Sequence, residues 1–285
     1  SSKFHKDNRV GYFPSVSAGW NVHQEKWFQN PVMSKLKIRA SYGELGANFL
    51  NPYNFDAIAY GPIPYTVGGE RYVTGRAAYL KSKDLKWETA KTTDIGIELG
   101  FFNNDLTLSL DYFVKKNVDL LAQIDLNLSS GQIFEINSSR EKPYVNTASV
   151  KNTGWEFMMN YRKQLTKDFH IDATFNIATL KNKVLSLGEN VQPITSGAMS
   201  SYFNDAASIT MPGEAIGSFY GYKIDGFDAE GNFIFADTDK NGVVNANDKV
   251  ILGSPIPDFT YGLNINMEYK DFDLTVFFPV SYTHL

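Results

Sequence analysis

Between Asp237 and Asp248 the chain reads DTDKNGVVNAND, a run of carboxylate and amide side chains set around one glycine. Asp237, Asp239 and Asn241 fall at positions 1, 3 and 5 of a twelve-residue cation loop. Gly242 falls at the sharp turn of position 6, Val243 offers its carbonyl at 7, Asn245 stands at 9 and Asp248 at 12. Hard oxygen donors on a tight loop suit Ca²⁺, so a structural calcium ion is expected here. Asp replaces the usual Glu at position 12, and its shorter reach predicts one-oxygen or water-mediated ligation and weaker binding than at a sensor site. No helix-forming pattern flanks the loop, which favours an ion that stiffens a loop over one that moves a helix pair. The same Asp, Asn and Gly residues also build ordinary solvated turns, and that reading stands beside the metal one.

Little else has catalytic spacing. The four His, at 5, 23, 170 and 284, form no paired-ligand motif, and GxSxG, GxGxxG and GxxxxGK[ST] are absent. No catalytic residue is assigned and no enzyme activity is expected. The chain has no Cys, which removes disulfides and thiolate chemistry. A net charge of -4 and a pI near 5.6 leave no basic field for nucleic acid. Tyr53, Phe55, Tyr60, Tyr65, Tyr72 and Tyr79 crowd one connecting segment. They could stack on sugar rings or face a protein partner, or equally fill the segment's own core.

The elements that carry these residues read as strands. Leu36, Ile38, Ala40 and Tyr42 alternate with Lys37, Arg39 and Ser41; Ile95, Ile97, Leu99 and Phe101 alternate with Asp94, Gly96, Glu98 and Gly100. Leu106 to Tyr112, Trp155 to Tyr161, Phe169 to Ile177, Tyr261 to Tyr269 and Leu274 to Phe278 repeat the pattern, as does a segment near Trp20. Strands of about ten residues are expected, and roughly eight are clear. Burying their Asp, Glu, Arg and His in a sandwich core would cost several kcal/mol each, so a wet interior explains them better. Links alternate between short and long, with long connections over 45–91, 115–146 and 180–257, as in barrels with short periplasmic turns and long outer loops. The expected fold is all-β: an antiparallel transmembrane β-barrel, present in part. Alternation alone would also fit a β-sandwich.

The stretch KDLKWETAKTTDIGIELGFFNNDLTLSLDYFVKKNVDLL, Lys83 to Leu121, resembles the barrel signature of SusC/RagA-type TonB-dependent transporters. NRVGYFPSVSAGW (from Asn8), LKIRASYGELGAN (from Leu36), SVKNTGWEFMMNYR (from Ser149), GSFYGYKIDGF (from Gly217) and ILGSPIPDFTYGLNINMEYKDFDLTVFF (from Ile251) extend the likeness in order. The resemblance implies a multi-pass outer-membrane barrel that imports oligosaccharides or peptides. It further implies a SusD-like lipoprotein partner and coupling to the TonB complex through an N-terminal region that this sequence lacks. Residues 1–279 would belong to the barrel, with the plug domain absent. Pro279 and the residues after it, 280–285, are expected to break the alternation as a truncation or non-native tail. A secreted, calcium-stabilised β-rich carbohydrate-binding module is the alternative.

Overall fold

Period-two sequences can bury one face only by forming a sheet, and they do so here at length. The computed structural model describes residues 3–50, 59–77, 84–123, 144–188, 191–200 and 203–282, without side chains for 59–65, 73–77, 198–200 and 203–205. In chain order the strands are β1 (Ser15–Asn21), β2 (Met33–Ala47), β3 (Ala59–Val67), β4 (Glu70–Ala77), β5 (Glu88–Phe101) and β6 (Leu106–Gln123). Then come β7 (Tyr144–Thr166), β8 (Phe169–Thr179), β9 (Lys181–Ser186), β10 (Ile194–Ser200), β11 (Phe203–Thr210) and β12 (Ser218–Tyr222). The last five are β13 (Ile224–Phe227), β14 (Phe233–Phe235), β15 (Lys249–Gly253), β16 (Phe259–Tyr269) and β17 (Phe272–Tyr282).

The wall is one antiparallel sheet in the order β1-β2-β5-β6-β7-β8-β16-β17, with β9 pairing the upper part of β7. These eight path strands are the eight legible in the sequence. Tyr42, Ile95, Leu110, Phe157, Phe175, Ile265 and Val276 lie on one face, while Arg39, Glu98, Asp111, Arg162, Asp172 and Asn266 lie on the other. Large apolar side chains on the first face are exposed, among them Ile95 at 55%, Trp155 at 52% and Leu274 at 53%. Water would not tolerate such a face over a whole sheet; lipid would.

Aromatic side chains gather at both ends of that face. Phe169 and Tyr269 (6.3 Å between ring centroids) stand by the short turns, and Phe259 with Tyr282 (5.0 Å) and Tyr112 with Trp155 (4.8 Å) stand toward the long connections. The 11 residues of β16 between them rise about 33 Å along the strand, or about 25 Å vertically at a tilt near 40°, the height of an apolar membrane band. The sheet is also sheared. Phe101, Leu106, Tyr161, Ala173, Ile265 and Val276 form one lateral row. The chain turns just after Phe101, whereas β16 runs on from Ile265 to Tyr269 before it turns. Such stagger is what closing a barrel requires, and a flat sandwich sheet has no need of it.

Three differences from the sequence reading emerge. β7 has 23 residues, β6 has 18 and β2 has 15, because polar residues beyond the lipid band keep pairing above the membrane, where sheet hydrogen bonds no longer need an apolar face. The long connections carry their own sheets, β3–β4, β10-β11-β12-β15 and β13–β14. Third, alternation does not stop at Pro279: it lies opposite Gly262, and β17 stays in register through Tyr282 opposite Phe259. Among the described residues β17 pairs β16, and Pro279, although it brings no N–H to the ladder, does not interrupt that pairing.

Candidate functional site

The inner face of the wall is ionic and largely paired. Arg39 on β2 and Asp111 on β6 occupy one lateral row with Gly96 of β5 between them. The guanidinium crosses over Gly96 to reach Asp111 at 2.6 Å, and it also approaches Asp94 and Glu98 at 3.4 Å each. A Cβ on residue 96 would lie 1.8 Å from the Asp111 carboxylate and 2.9 Å from Nε of Arg39. Only glycine leaves that notch, and Asp111, buried at 7% exposure, depends on it. Lys35 pairs with Glu98 at 2.7 Å. Farther along, Arg162 donates twice to Asp172 (2.8 and 2.6 Å), and Asn160 donates to Asp172 and Thr174. The face therefore carries both signs of charge and many amides, without a field of either sign.

The acidic loop lies between β14 and β15. Oδ1 of Asp237 accepts from the Asn241 N–H and Oδ2 from the Gly242 N–H (2.7 Å), with Gly242 at φ +89°. Asp239 accepts from the Asn241 backbone and side chain, and Asn241 accepts from the Val243 N–H. Asp248 is fully buried. Its Oδ1 accepts from Thr238 (2.8 Å) and Asp239 (3.3 Å), and its Oδ2 from the Asn245 N–H (2.8 Å). These backbone donors, led by that of Asn245, hold the Asp248 carboxyl below the usual carboxylate range against the opposing effect of desolvation. The structure brings carboxylate oxygens of Asp237, Asp239 and Asp248 within 4.8 Å of one another. Three converging carboxylates of hard oxygen character fit a divalent cation such as Ca²⁺. The side chain of Asn245 instead donates to the Val243 carbonyl and accepts from Asn247, so those two positions are engaged within the loop.

Of the aromatic segment, Tyr53, Phe55 and Tyr79 lie outside the described residues, as do the side chains of Tyr60 and Tyr65 on β3. Tyr72 on β4 is exposed and donates its hydroxyl to Glu70. A second aromatic group went unnoticed in the sequence: Phe227, Phe233 and Phe235 on the β13–β14 hairpin pack together at 5.3 and 6.3 Å and remain 65, 56 and 41% exposed. Its signal was Phe227 before and the apolar triplet Phe233 to Phe235 after the turn DAEGN, Asp228 to Asn232.

A family model described as TonB dependent receptor-like, beta-barrel, matches residues 1–283. The chain belongs to this family of outer-membrane barrels. It is 35% identical, over 99% of its length, to TonB-dependent receptor P3 of Formosa agariphila, and 32% identical, over 96%, to TonB-dependent receptor SusC of Bacteroides thetaiotaomicron. It spans only 29% and 28% of those proteins. Among solved structures it superposes on the RagAB peptide importer in its open-open state with a TM-score of 0.80 and 22% identity, covering 98% of this chain and 29% of that one. The likeness to RagAB speaks for the fold. The chain is thus an unclosed section of a SusC-type TonB-dependent receptor barrel. Among the described residues no helix is long and apolar enough to cross a membrane; the crossing elements are strands.

Proposed function

We propose that this wall section belongs to an outer-membrane importer of oligosaccharides or peptides that works with a SusD-like surface lipoprotein and draws energy through TonB. The observation that carries the reading is the two-sided wall: an exposed apolar face between aromatic rims, and an opposite face of paired ions and amides suited to a water-filled passage. The mixed inner face, exemplified by Arg39–Asp111 and Asn160–Asp172, suits hydrogen-bonding cargo of low net charge. The likeness to TonB-dependent receptor SusC supports import, and the mixed inner face leaves both cargo classes in play. The exposed Phe227, Phe233 and Phe235 hairpin is the surface we assign to the lipoprotein, because aromatic anchors dominate protein interfaces. We further propose that the loop of Asp237, Asp239, Asn241, Val243, Asn245 and Asp248 takes a structural Ca²⁺ that relieves repulsion among its three carboxylates. A secreted binding module gives no account of the lipid-type face.

The test is uptake by the intact protein. Cells should accumulate labelled oligosaccharides or peptides of one class, and should lose that accumulation when the gene is deleted or TonB is removed. The lipoprotein should co-purify with the barrel. Accumulation that survives both deletions would sink the transport reading.

A further inference from the structure

The outward face changes character just above its upper aromatic rim. Glu44 on β2, Lys91 on β5, Lys116 on β6, Lys151 on β7 and Lys183 on β9 are direct lateral neighbours in one row. Strict alternation puts them on the same face as Tyr42, Ile95, Tyr112 and Trp155. Lys181, opposite Thr153, joins them from the next row down. Lys91 pairs with Glu44 at 3.3 Å. Among the described residues, Lys116, Lys151, Lys181 and Lys183 make no ion pair with a protein carboxylate, and all but Lys151 are exposed.

Like charges directly opposite on neighbouring strands, with Cβ atoms about 5 Å apart, destabilise a sheet unless something anionic lies over them. The position of the row says what that is. Lys116 follows Tyr112 by four residues on β6, so it stands about 10 Å above the aromatic rim at barrel tilt, on the side of the long connections. That is the headgroup layer of the outer leaflet, not the solvent above it. A recess of about 660 Å³ opens beside the row, lined by Trp155, Tyr112, Lys181 and Lys183 together with Glu214 and Asp258. Its aromatic side continues the apolar face of the sheet, and its lysine side continues the row.

We propose that this lysine ladder is a docking site for the phosphorylated headgroup of an outer-leaflet glycolipid, which neutralises the row and fixes the height of the barrel. The proposal rests on the outer-membrane reading. The experiment uses the full-length protein extracted from outer membranes in mild detergent, titrated by native mass spectrometry with a bis-phosphorylated lipid A-type glycolipid, its dephosphorylated form, and inorganic phosphate. Binding at least about ten-fold tighter for the phosphorylated lipid, undisturbed by millimolar phosphate, is expected. The triple substitution K116Q, K151Q and K183Q should weaken it about a hundred-fold, since each lysine near an anionic surface contributes roughly a factor of five. The matching triple arginine variant should retain it.

Equal binding of the dephosphorylated lipid would overturn the ladder and leave only the apolar band. Displacement by inorganic phosphate would overturn the lipid assignment in favour of a free-anion site. If the glutamine variant fails to assemble, the ratio between the two lipids on the unsubstituted protein decides alone. Absence of the protein from outer-membrane fractions would instead overturn the localisation on which both readings depend.

Discussion

The wall and the connection above it, 181–257, are both β-structure, yet they are held by different means. In the wall, strands run in unbroken lateral register from Ile38 to Ile97, Leu110, Phe157, Ile177, Tyr261 and Val280, and side chains on one face have lipid for their solvent. In the connection, strands of three to eight residues are tied by side chains bonded to backbone: Asp228 to Glu230 and Asn232, Asn182 to Ile216, Asp248 to both ends of its loop. The wall draws its stability from continuity and a match to the bilayer. The connection draws its stability from a few ionised or amide groups gathered at single loops such as 237–248, so a bound ion or a protonation there should act on one loop, whereas the wall's ion pairs are spread along a continuous sheet.

The sharpest way to break the contrast is to place one charge in each region. Ile265→Arg, near the middle of the lipid band and flanked by Ala173 and Val276, should destabilise the folded barrel by about 2–4 kcal/mol. Val243→Arg, exposed at 63% in the loop, should stay within about 0.5 kcal/mol. Urea unfolding of the full-length protein in lipid vesicles checks both, and equal effects would refute the assignment of faces.

Next in size is Gly96→Ala, which forces a methyl group into the Arg39–Asp111 contact. We expect a loss of about 2–3 kcal/mol, reduced from a fully buried pair because Arg39 is partly open to water. The double variant Gly96→Ala with Asp111→Ala should recover part of it in the same assay; no recovery would place the strain elsewhere.

The loop gives smaller, conditional effects. Ca²⁺ should protect residues 237–248 from protease and a chelator should remove that protection, while Asp237→Ala with Asp239→Ala should make the region indifferent to the ion. Identical digestion of the unmodified protein with and without Ca²⁺ would end the metal proposal. Smallest is the pH response. The Asp248 carboxyl, held low first by the Asn245 N–H, contributes stability that is complete above the ordinary carboxylate value of about 3.9 and disappears as pH falls through its lower folded value. The hydrogen-exchange protection factors of Thr238 and Asn245, corrected for the intrinsic pH dependence of amide exchange, should therefore be unchanged from pH 7 to 5 and fall only in stronger acid. A fall already at pH 6 would assign the protection to another group.

The eight wall strands, their turns and their two faces were legible in the sequence, because side chains alternate with the same period whatever the neighbour, and the change from Ile95 to Glu98 and Asp111 tracks lipid against water. The acidic loop was legible too, since its residues meet through a dozen positions of local chain. Other features were not. The Arg39–Asp111 contact over Gly96, the meeting of Lys116 with Lys151 and Lys183, and the continuation of β17 past Pro279 all depend on lateral register between strands far apart in sequence. Register is set by turns, shear and pairing across the whole sheet, and no local spacing records it. Period and composition alone told which residues face lipid and which face water; only the assembled sheet decided which of them stand side by side.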